Sequence, residues 1–80
     1  MRLLVVEDEK KLCDMIAKSL HQSGYEVDVC NDGEEALDMI YAEMYDLIVL
    51  DLNLPGVDGM EILRELRKED EETKVLILSA

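Results

Sequence analysis

Four apolar residues in a row, Leu47-Ile48-Val49-Leu50, run without alternation into a carboxylate, Asp51. A strand with one wet face alternates apolar and polar side chains, whereas a continuous apolar run belongs to a strand covered on both faces, the signature of a parallel sheet sandwiched by helices. Leu3-Leu4-Val5-Val6 and Val75-Leu76-Ile77-Leu78 read the same way, as a first and a fourth buried run. Tyr25, Val27 and Val29 alternate with Glu26 and Asp28, the pattern of a half-exposed edge strand.

Between these runs the apolar spacing turns helical. Leu12, Cys13, Ile16, Ala17 and Leu20 recur on one face until Gly24 supplies a stop. Asn31-Asp32-Gly33 offers turn and capping chemistry for a second helix with Ala36, Leu37, Ile40, Tyr41 and Met44 inward. Asp58-Gly59 opens a third with Ile62, Leu63 and Leu66 inward. Strand-helix-strand units of about 25 residues predict parallel pairing through right-handed crossovers, hence an α/β chain. Its 80 residues suit one domain, 1–80, with no linker and no internal repeat.

Twenty acidic against eight basic residues leave a formal charge of -12, which repels nucleic acid and anionic lipid; neither is expected as a direct partner. The apolar stretches are too short to span a bilayer, and the N-terminus turns acidic at Glu7 before a signal-peptide core could form, so a cytoplasmic chain with no membrane contact is expected. Cys13 and Cys30 lack metal-ligand spacing and read as packing thiols in a reducing compartment. His21 reads as a solvated residue complementing a helix C-terminus.

All strands of a parallel sheet end on one edge, so Glu7-Asp8 after the first and Asp51 after the third face the same side. If the second strand packs outside the first, the order becomes 2-1-3-4, that of flavodoxin-like doubly wound sheets, and the three carboxylates meet at the switch point where such sheets bind ligands. Like charges that close demand a cation, and a hard divalent ion such as Mg²⁺ takes oxygen ligands from one or two carboxylates plus a phosphate. Asp8, Asp51 and the backbone carbonyl of Asn53 would supply three ligands. Taken singly, Glu7 and Asp8 could instead favour a helix N-terminus, and Asp51 cap a turn. An EF-hand loop from Asp51 fails because Pro55, Gly59 and Ile62 stand at ligand places, and Glu7-Asp8-Glu9 would repel a bare phosphate.

At Val5-Val6-Glu7-Asp8-Glu9, at Leu50-Asp51-Leu52-Asn53-Leu54-Pro55-Gly56-Val57-Asp58-Gly59 and at Ser79-Ala80, the chain resembles the receiver domain of bacterial two-component response regulators. The resemblance implies that Asp51 is the phosphoacceptor for a sensor histidine kinase and that Asp8 binds Mg²⁺ directly, Glu7 through water and Asn53 through its carbonyl. It further implies that Ser79 hydrogen-bonds the phosphoryl group, and that Pro55 and Gly59 shape the loop. The opening segment and Leu52-Asn53-Leu54-Pro55 particularly resemble regulators with a winged-helix DNA-binding domain, so transcription regulation is the implied output. Receivers continue through a fourth helix, a fifth strand carrying a phosphoryl-binding lysine, and a fifth helix, so the 80 residues correspond to the first two thirds of one. Lys10 and Lys11 do not occupy that lysine's place and read as exposed helix residues.

On that expectation the apolar side chains of strands 3 and 4 are partly uncovered and strand 4 is an open edge, so the chain is expected either to self-associate through strand 4 or to be only marginally folded. A rival reading is an interaction module that never takes phosphate. A second, a hydrolase of the haloacid-dehalogenase type, wants an Asp two residues beyond its nucleophile, where Asn53 stands.

Overall fold

The computed structural model describes residues 1–78. Strands β1 (Arg2–Val6), β2 (Glu26–Cys30), β3 (Leu47–Asp51) and β4 (Lys74–Leu78) alternate with helices α1 (Lys10–Gln22), α2 (Gly33–Ala42) and α3 (Gly59–Glu69). All neighbours pair in parallel in the order β2-β1-β3-β4, the expected doubly wound α/β arrangement. The register sets Val6 against Leu50 and Asp51 against Leu78, so the β1 and β3 ends lie side by side.

The pure apolar runs of β1 and β3 are buried because helices cover both faces. Leu4, Val6, Ile48 and Leu50 pack under α2 and α3 with Ala36, Ile62 and Leu66; Val5 and Val49 pack on the other face with Cys13, Ile16 and Leu20 of α1. Both cysteines are free and buried, as packing thiols should be, and burial raises the pKa of each. Local chemistry punctuates the chain as expected: Asp32 and Asp58 accept hydrogen bonds from the Glu35 and Glu61 amides at the starts of α2 and α3. Gly24, at φ +98°, turns the chain after α1, whose last turn carries exposed His21.

Three expectations need correction. Tyr41 and Met44 do not face inward but are 59% and 87% exposed. Helix α2 stops at Ala42, so Met44 lies beyond the helical periodicity, and Met39 and Tyr45 take the inner places. The edge strand β2 does not alternate cleanly: Val29 is exposed, while Asp28 is half-buried because its Oδ2 accepts from Arg2 (2.8 Å) and from the Tyr45 hydroxyl (2.7 Å). Lastly, Val75–Leu78 is not a buried run, since Leu76 and Ile77 are 54% and 42% exposed. The uncovering expected for strands 3 and 4 falls on β4 alone; α1 keeps Val49 of β3 covered.

Candidate functional site

Three carboxylates that the chain separates are brought together by the strand order. Glu7, Asp8 and Asp51 each offer an oxygen, and these oxygens lie within 4.8 Å of one another. They line one wall of a cleft that continues across Leu12 and Ile16 of α1 to Asn53 and Leu78.

Two of the three carboxylates, those of Glu7 and Asp51, are held by backbone amides. The Glu7 amide donates to the Cys30 carbonyl (3.0 Å), and Asn31 Nδ2 donates to the Glu7 carbonyl (2.8 Å), so the end of β2 fixes the turn after β1. Glu7 Oε2 accepts from the Glu9 amide at 3.2 Å, just ahead of α1, and the N-cap residue Glu9 itself makes no side-chain cap. The simple helix-start reading is thus met in part by Glu7. Asp51 Oδ1 accepts from the Asn53 amide at 2.9 Å, closing the turn after β3 and fixing the carboxylate's orientation.

Burial separates the three. Glu7 and Asp51 are buried and Asp8 is exposed. Burial pushes the Glu7 carboxyl up from 4.5 to about 7, the Glu9 amide opposes the rise, and the neighbouring Asp51 and Asp8 add to it. Near neutral pH the cluster therefore stores repulsion that a cation would relieve. All the donors are hard oxygens, the set Mg²⁺ selects. The residues present fit that ion: an unneutralised, closely spaced oxygen cluster opens on a cleft.

The loop after β3 is also packed from below. A Cβ on Gly59 would stand 2.5 Å from the Asp51 carbonyl oxygen and 2.6 Å from Leu52 Cα, so only glycine lets α3 start against the site. Gly33, at the start of α2, approaches the Val57 carbonyl still more closely. Reading the sequence missed Asn31 as a tether of the acidic turn; its Asn-Asp-Gly context signals a turn, not a partner 24 positions away. Ser79, expected to answer a phosphoryl group, lies outside the described residues.

Fold and site together define a doubly wound α/β domain with an acidic, cation-demanding cleft at its switch point. Residues 3–80 match the response regulator receiver domain, and the chain belongs to that family of two-component systems, whose members are phosphoacceptors and not enzymes. It is 45% identical over 80 residues to transcriptional regulatory protein TctD of Salmonella typhimurium, covering all of this chain and 36% of that protein. The chain thus spans about a third of that curated relative. It is also similar to response regulator TrrA of Thermotoga maritima, solved in complex with Mg²⁺-BeF, at TM-score 0.93 and 39% identity over 99% of this chain and 69% of that one. A further structure holds TrrA with histidine kinase ThkA; there the TM-score is 0.90 at 39% identity, over 99% of this chain and 68% of TrrA.

Among the described residues no helix is long and apolar enough to cross a membrane.

Proposed function

We propose that Asp51 accepts a phosphoryl group from the phosphohistidine of a sensor histidine kinase with Mg²⁺ at the acidic cleft. In the whole protein, which we place in the cytoplasm, this switches an output, DNA-binding transcription regulation, while residues 1–80 contribute the N-terminal part of one receiver. The observation that carries the reading is the convergence of Glu7, Asp8 and Asp51 oxygens within 4.8 Å at the sheet's switch point.

A carboxylate oxygen of Asp51 attacks phosphorus; the phosphorus–nitrogen bond of the phosphohistidine breaks, and the imidazole leaves with the bonding pair and takes up a proton. The Asn53 amide holds Asp51 Oδ1, so the nucleophile enters the reaction already oriented. Asp8, Asp51 and the Asn53 carbonyl would hold Mg²⁺ directly, with Glu7 acting through water. When bound, the ion would supply charge neutralisation between the carboxylate and the anionic phosphoryl group. Ser79 is assigned the hydrogen bond to the bound phosphoryl group. The Mg²⁺-BeF complex of TrrA and the ThkA–TrrA complex support ion and partner by similarity.

The test is the intact mass after incubation with acetyl phosphate and Mg²⁺, beside Asp51→Asn. A Mg²⁺-dependent phosphoryl adduct absent from the variant is expected. An adduct that persists in Asp51→Asn refutes the assignment of the acceptor, and no adduct on the wild-type chain removes phosphoacceptor activity from these 80 residues and leaves the interaction-module reading.

A further inference from the structure

At the opposite end of the strands from Asp51, where α2 and α3 finish, the chain carries a second groove, about 680 Å³ in volume. Its floor is apolar, made by Ile40, Ile48 and Leu66. Tyr41 and Met44 line its side at 59% and 87% exposure, so together with the floor they form a contiguous apolar surface. The rim is acidic: Glu69, Glu71 and Glu72 line it, and none of these three has a basic partner in the ion pairs of the described residues.

The backbone adds to this field. Helices α2 and α3 both end here, and a helix C-terminus carries about half a negative charge, offset at α3 by Arg67 and Lys68 in its last turn. The last turn of α2 has no basic residue to offset it. Lys68, the single lysine on the rim, is engaged by Glu65 at 2.8 Å, and Glu65 also accepts from the Tyr41 hydroxyl.

We propose that this groove docks a basic amphipathic segment of a protein partner, one large apolar side chain seated against Met44 and Tyr41 and lysines or arginines facing Glu69, Glu71 and Glu72. Charge complementarity selects the occupant: the rim repels nucleic acid and anionic lipid, and an apolar floor flanked by acids matches a segment that is apolar on one side and cationic on the other. An exposed, unbranched methionine suits such a surface because it adapts to different apolar partners. The groove is remote from the acidic cleft, so the inference does not rest on the phosphoacceptor reading.

The test titrates the ¹⁵N-labelled chain with a synthetic helical peptide of leucine and lysine in amphipathic spacing, followed by amide chemical shifts. A control peptide has every leucine replaced by serine at unchanged charge. Saturable binding with shifts confined to 40–48 and 65–73 is expected. Met44→Ser should weaken it about fivefold, and the Glu71→Lys, Glu72→Lys double variant about tenfold, both at exposed positions that leave the fold intact. Three results overturn the proposal: no saturable binding, equal affinity for the serine control or for Met44→Ser, or shifts centred on Glu7, Asp8 and Asp51.

Discussion

Replacing Glu7 by Gln removes one charge from the acidic cleft while preserving shape and the acceptor that meets the Glu9 amide. In the folded chain the Glu7 carboxyl titrates at about 7 instead of 4.5. Below about pH 4.5 it is protonated whether folded or unfolded, and the variant gains nothing. Between 4.5 and about 7 the folded chain keeps a proton that the unfolded chain releases, so wild-type stability falls as pH rises through this window. Above it, Glu7 is ionised in both states and the full penalty of its buried charge is present. At ~1.4 kcal/mol per tenfold change in proton affinity, the ceiling is about 3 kcal/mol. Because the cleft opens to solvent, water reduces the burial penalty that dominates the rise and screens the smaller repulsion from Asp51, and ~1–2 kcal/mol is the working expectation. Urea unfolding of both proteins at pH 4.5, 6, 7 and 8 without divalent cations reads the difference directly. The Gln variant should match wild type at the lowest pH and pull ahead to a plateau above about 7. Adding Mg²⁺ at ten times its Kd at pH 8 should restore about 1.4 kcal/mol to the wild type. A stability difference that does not change with pH would refute the reasoning.

Gly59→Ala places a Cβ 2.5 Å from the Asp51 carbonyl, so the loop must move; a loss of ~1–3 kcal/mol in urea unfolding and slower acetyl-phosphate labelling are expected, and an unchanged urea midpoint would count against the close packing. Tyr45→Phe removes the 2.7 Å hydrogen bond to Asp28 and should cost ~1–2 kcal/mol by the same assay; if Asp28→Asn, Tyr45→Phe loses only the sum of the single changes, the two groups are not coupled. Strand β4 pairs with β3 alone among the described strands and exposes Leu76 and Ile77, so concentration-dependent self-association is expected in sedimentation velocity, reduced by Ile77→Lys. A monomer at every concentration tested would sink that idea.

How far the chain could be read before folding depended on whether its signals were local. Asp32 and Asp58 cap their helices because the residues they bind lie three positions away. Gly24 could be placed for the same reason, since a left-handed turn depends on the glycine's own backbone. The buried runs of β1 and β3 were legible because four apolar residues in succession are the usual pattern of a strand covered on both faces. The same rule misjudged Leu76 and Ile77: an apolar run states what a strand could bury, and a neighbour must be present to bury it. Tyr41 and Met44 show the limit of periodicity. Tyr41 lies inside α2 yet turns its hydroxyl out to Glu65, and Met44 was assigned inward by extending the helical pattern beyond Ala42, while Tyr45, outside the helix, became core by reaching Asp28 on β2.

By itself, then, the sequence determined the elements, their caps and the acidic character of two strand ends, because these follow from side chains acting on their own backbone or on near neighbours. The meeting of Glu7, Asp8 and Asp51 followed from the sequence only on the condition that β2 packs outside β1; the tertiary structure decided that condition, and decided that Glu7 is the buried member whose proton affinity rises. Forty-odd residues separate Asp8 from Asp51 along the chain; the pairing of Val6 with Leu50 brings them together. Electrostatic coupling depends on distance and dielectric, and both are set by strand order and by what covers the cleft.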